Sequence, residues 1–149
     1  MFELNKKYSL VGVSARTGNN RLFPNKIVYA TRQYGIYAID VRIFFKINAR
    51  FDNIDLMEDF DVVLTFLENG YKNAVFANWA WDQVSNSSGG CSIYRNYETQ
   101  EKAAIRLKEL HPDFVTVVDK KVKGSWKGFE NRKDVRIQWK KAYKSSGEK

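Results

Sequence analysis

The chain has 149 residues, is 44% hydrophobic with ten Phe, eight Tyr and four Trp, and carries a formal charge of +8. That composition excludes wholesale disorder and is enough for one domain with a core of its own. The longest apolar runs, such as Ile43-Phe44-Phe45 and Val62-Val63-Leu64, are far shorter than the roughly 18–20 residues a membrane span needs.

The elements follow from hydrophobic period and turn chemistry. Lys7–Ala15 and Lys26–Arg32 are strand candidates, separated by the turn cluster Arg16-Thr17-Gly18-Asn19-Asn20 and by Pro24-Asn25. Tyr37–Ile47 alternates apolar Tyr37, Ile39, Val41, Ile43, Phe45 and Ile47 with Asp40, Arg42 and Lys46, which predicts a long strand with one buried face. The N-terminal third therefore reads as a β-meander. Over 55–69 the period becomes helical through Leu56, Phe60, Val63, Leu64 and Leu67, with Asp55 and Glu58 spaced as a capping box and Asn69-Gly70 as the stop.

Tyr71–Trp81 is a further strand, Ser85–Gly90 a Ser/Gly loop, and Cys91–Arg95 a short strand candidate. A second helix is expected from Tyr97 to Leu110, with Ala103, Ala104, Leu107 and Leu110 on one side and His111-Pro112 at its end. Strands are expected at Phe114–Val118 and Asp134–Lys141, and a frayed basic tail over 144–149. The fold class is α+β: an antiparallel β-rich sheet, N-terminal meander plus C-terminal strands, with two helices packed on it. The whole chain, 1–149, reads as one compact domain, with only a weak division near residue 50.

The charge is uneven. Residues 1–50 hold nine basic and two acidic side chains, residues 51–119 five and twelve, and residues 120–149 eleven and three. The last thirty residues thus carry the equivalent of the entire net charge. A basic segment of this kind favours polyanionic partners.

Catalytic constellations are scarce. Asp52, Asp55, Glu58, Asp59 and Asp61 crowd a helix start, where acids complement the dipole. Pro112-Asp113 with Asp119-Lys120-Lys121 superficially matches a PD-(D/E)xK nuclease pattern, but its acids stand at opposite ends of one predicted strand, roughly 20 Å apart, too far to share a metal. Gly35-Ile36-Tyr37 reproduces half of the GIY-YIG nuclease motif, and the Tyr-Ile-Gly half is missing downstream. His111 is the sole histidine and Cys91 the sole cysteine, so any triad would have to use them, and a zinc site of ordinary ligand count has no donors. No cofactor or metal is expected.

The remaining signal is cationic. Lys120, Lys121, Lys123, Lys127, Arg132, Lys133, Arg136, Lys140 and Lys141 are interleaved with aromatics, of which Trp126 lies between two glycines in a basic loop. Arg16, Arg21 and Arg32 would assist if the N-terminal turns lie nearby. Cations meet phosphates through counterion release, and aromatics stack on unpaired bases. The expectation is a small, non-catalytic nucleic-acid-binding protein with little sequence specificity. The alternative is a modulator that docks on an oppositely charged host protein. A single cysteine and the lack of a signal-peptide pattern point to the cytoplasm. The abundance of Phe, Tyr, Ile, Asn and Lys points to an AT-rich genome such as that of a small bacteriophage or a low-GC bacterium.

Overall fold

The structure is a computed structural model that describes residues 8–15, 26–81, 95–121 and 131–147. In chain order the elements are β1 (Leu10–Ala15), β2 (Ile27–Tyr29), β3 (Tyr37–Ile39), α1 (Val41–Lys46), α2 (Glu58–Glu68), β4 (Asn73–Trp81), α3 (Tyr97–Leu110), β5 (Val115–Lys121), β6 (Asn131–Ile137) and α4 (Trp139–Ser145). They form an α+β fold with helices on a sheet. No helix among the described residues is long and apolar enough to cross a membrane.

The four-stranded sheet has the order β2-β4-β1-β3, and β5 and β6 form a separate antiparallel pair. β1 runs parallel to β4 and antiparallel to β3, while β2 pairs, among the described residues, with β4 alone. The N-terminal strands are therefore not a meander. A later strand, β4, separates β1 from β2, a long-range parallel pairing that no local turn signal encodes.

The long strand expected over 37–47 is instead a strand and a helix. After Ile39, the Asp40 carboxylate accepts a hydrogen bond from the Arg42 backbone N–H at 3.0 Å and caps α1. The alternating pattern misleads because Ile43 and Ile47 also stand four apart, and both pack against the core together with Phe44. Val41 and Phe45, apolar in the same alternation, are left in solvent, Phe45 with 76% of its surface exposed.

A similar change occurs at the C-terminus. β6 ends at Ile137, and Trp139, Ala142 and Tyr143 form the packed side of α4 rather than continuing the strand. Lys144 and Ser145 belong to this helix, and the Ser146 hydroxyl donates to the Leu67 carbonyl at 3.1 Å. The Asp55–Glu58 capping box does not form. α2 starts one turn later than its sequence signal, after Met57 in the left-handed region at φ 66°, with no side-chain cap. The Ser/Gly loop, Cys91 and nearly all of the strand expected at Cys91–Arg95 lie outside the described residues.

The core is built round α2. Val62, Val63, Leu64, Phe66 and Leu67 are all buried, in one cluster with Leu10 of β1, Ala103, Ala104 and Leu107 of α3, Val115 of β5 and Ala142 of α4. Both sheets thus share one hydrophobic interior.

Within that interior lies a charged cluster. His111, which caps α3, uses both ring nitrogens: Nε2 meets Asp61 Oδ1 at 2.8 Å and Nδ1 meets Glu68 Oε1 at 2.6 Å. Asn53 donates its amide N–H to the second Asp61 oxygen at 2.9 Å. A neutral imidazole has one N–H, so two carboxylate acceptors require the doubly protonated ring. Burial works against that charge, but the hydrogen bonds to Asp61 and Glu68 outweigh it, and the pKa is raised from 6.5 to about 9. With both nitrogens engaged, His111 is a structural clamp between α2 and the turn into β5, not a general base.

This clamp makes stability depend on pH. Because the folded pKa lies above the unfolded one, the stabilisation is complete below pH 6.5 and is lost as pH rises through about 9. The loss should be about 3 kcal/mol at most. Urea denaturation between pH 6 and 10 should show it, and His111→Phe should flatten that slope while lowering stability at pH 6. A wild-type curve level across this window would contradict the clamp.

Candidate nucleic-acid interface

The hairpin β5–β6 carries Lys120, Lys121, Arg132, Lys133 and Arg136, and also Asp119 and Asp134. Its register sets Asp119 opposite Lys133, Val118 opposite Asp134 and Lys120 opposite Arg132. Lys133 consequently pairs with Asp119 at 2.7 Å, while Lys120 and Arg132 share Asp134 at 3.0 and 3.4 Å. The two cations beside Asp134 and the backbone N–H of Val135 outweigh its burial and hold its pKa below the ordinary carboxylate value. Three of the five hairpin cations are thus matched within the fold. Lys121 and Arg136 are exposed and have no carboxylate at ion-pair distance among the described residues.

α4 differs. It carries Lys140, Lys141 and Lys144 and no acid. Trp139 packs edge-on against Phe60 of α2 at 5.7 Å, and Ala142 and Tyr143 are buried, which turns the lysines outward. Lys141 donates to the Asp113 carbonyl at 3.2 Å and lies over the Phe114 ring. Lys140 and Lys144, four apart, share one exposed side of the helix.

The fold brings Arg32 to this helix. Its guanidinium lies 4.3 Å from the Tyr34 ring centroid and 4.6 Å from that of Phe60, the ring against which Trp139 packs. Stacking on ring faces leaves the guanidinium N–H groups at the rim available to other acceptors. Asp59 is nearby in electrostatic terms. Burial and the Glu58 charge push its pKa up to about 6, and Arg32 pulls the other way. The same two acids and burial push the Tyr37 hydroxyl up to about 12.

Arg32 is placed by an amide clamp. The buried Asn73 side chain accepts from the Thr31 backbone N–H at 3.1 Å and donates to the Thr31 carbonyl and to Gln33 Oε1, each at 2.9 Å. Two residues on, Gly35 takes φ +81° with the Trp81 indole against its Cα, where a Cβ would stand 2.0 Å from the ring. The segment carrying Arg32 is thereby fixed on both sides.

Sequence reasoning missed Lys72. Its Nζ lies 5.7 Å from the Tyr29 ring and 5.0 Å from the Tyr143 ring, linking β2 to α4. Tyr29 and Tyr143 are distant in sequence, so no local pattern announces the contact. Arg16, Arg21, Lys123, Trp126 and Lys127 lie outside the described residues. The acids at the start of α2 disperse: Asp61 joins His111, Asp52 pairs with Arg50 at 2.6 Å, and Asp59 is half-buried near Arg32. Asp113 and Asp119 stand apart as well, Asp119 being taken by Lys133.

Removing the Asn73 side chain leaves the Thr31 amide unsatisfied in the interior. Asn73→Ala should cost about 1–3 kcal/mol in chemical denaturation, and an unchanged midpoint would show that the clamp is idle. Comparison with protein-family models, with curated proteins and with solved structures gives no match to this chain.

Proposed function

We propose that the protein binds nucleic acid with little sequence preference, through α4 and the neighbouring Arg32, helped by Arg136 and Lys121 on the hairpin. The observation that carries this reading is the contrast between two basic elements. The hairpin matches Lys120, Arg132 and Lys133 with its own carboxylates, whereas α4 presents Lys140 and Lys144 with none. A phosphate approaching α4 has no carboxylate of that helix to displace. Contacts of this kind read the backbone and not base identity, so binding should vary little with sequence.

If about five phosphates are engaged on duplex DNA, log K against log salt should have a slope near −4 to −5. Anisotropy titrations at two salt concentrations would measure it. Lys140→Glu with Lys144→Glu should weaken binding and reduce the slope by about 2 units, whereas Lys133→Gln, at a residue already paired, should have a smaller effect. Absence of binding at about 50 mM salt, where such contacts are strong, would overturn the proposal. An acidic host protein would use the same cations, and its capture from lysate would survive nuclease treatment.

A further inference from the structure

The rings of α4 face inward, Trp139 packed on Phe60 and Tyr143 buried, and Trp126, the ring expected to stack on bases, lies outside the described residues. Exposed rings occur instead on the β2–β4 margin. Register sets Ile27 opposite Phe76 and Tyr29 opposite Ala74, so Ile27, Tyr29 and Phe76 project from one face of this two-strand ribbon. Next to them β4 departs from regular pairing. Its match to β1 jumps from Val13–Phe76 to Ser14–Ala80, which leaves Ala77, Asn78 and Trp79 as a wide bulge. Ala77 remains tied to β2 through its N–H to the Lys26 carbonyl at 2.9 Å.

The bulge re-aims Trp79. Its indole lies 6.0 Å from the Phe76 ring, on the same side, yet 62% of the residue is exposed. Tyr29 is 37% exposed, and Tyr8 tilts against it at 5.4 Å. Among the described residues β2 is the edge strand of the four-stranded sheet. Its Tyr29 end is joined to α4 by Lys72, which faces both Tyr29 and Tyr143. Tyr29 and the Tyr143 side of α4 are therefore neighbours through Lys72.

We infer that the ligand is a single strand, its bases stacking on the exposed Trp79 and Tyr29 while its phosphates follow Lys140 and Lys144. This rests on the nucleic-acid reading above. In a duplex each base face is already covered by its neighbours, so ring faces on the protein gain nothing from it. An unpaired strand offers both base faces and a charged backbone, matching the rings and cations.

The test is fluorescence anisotropy with a labelled, unstructured single strand of about 12 nucleotides, within the usual range of site sizes, against a duplex of equal length. The single strand should bind the more tightly and quench tryptophan emission. Trp79→Ala should weaken single-strand binding by about 5- to 160-fold, the range of one lost base stack, and leave duplex affinity and the salt slope unchanged. Trp79→Phe, which keeps a ring, should restore most of the loss. Equal affinity for the two forms, or a Trp79→Ala variant with wild-type single-strand binding, would overturn the inference and leave the nucleic-acid reading standing. Failure to bind either form would remove both.

Discussion

The imidazolium of His111 between Asp61 and Glu68 is the contact on which the arrangement of this protein depends. A charge enclosed in a core is tolerated only when paired and fully hydrogen-bonded, and here both ring nitrogens and both Asp61 oxygens have partners. The group fixes α2 against the end of α3, and the Phe114 and Val115 N–H groups then bond to the His111 carbonyl and start β5. Because β5 pairs with β6 and β6 leads into α4, the placement of the basic helix follows from this junction. Phe60 and Leu67 of α2 receive α4 directly, through Trp139 and Ser146.

The charge of the chain acquires a different meaning once folded. Asp119 and Asp134 look incidental in a basic sequence, yet the hairpin register places them beside Lys133, Lys120 and Arg132. Ion pairs at or near the surface contribute little to stability. Their effect is on the local field, which is moderated along the hairpin, whereas α4 carries no acid of its own. The N-terminal basic segment contributes through Arg32, held by the Asn73 clamp and stacked on the ring that also supports Trp139.

Much of the architecture was legible in local pattern. α3 runs from Tyr97 to Leu110, where its apolar spacing and His111-Pro112 placed it, and β4 and the body of α2 also lie within their expected spans. The failures share a cause. Over 37–47 the apolar residues satisfy both a strand and a helix, and the contacts made by the helix lie outside the segment: Phe44 stacks on Phe51 at 5.6 Å and approaches Phe66 at 6.5 Å. The strand order is equally non-local, since β1 finds β4 only after α1 and α2 have been traversed. In the candidate interface, which residues carry charge was readable, but which charges remain unmatched was not. That depends on cross-strand register, and the approach of Arg32 to α4 depends on the Phe60 ring of α2.

The most direct measurement is backbone amide NMR during titration with an unlabelled oligonucleotide, followed residue by residue. The account predicts perturbations along Lys140–Lys144 and around Arg32 and Lys72, with smaller shifts at the Asp119–Lys133 pair. Perturbations confined to the hairpin pairs, or none anywhere at low salt, would contradict it.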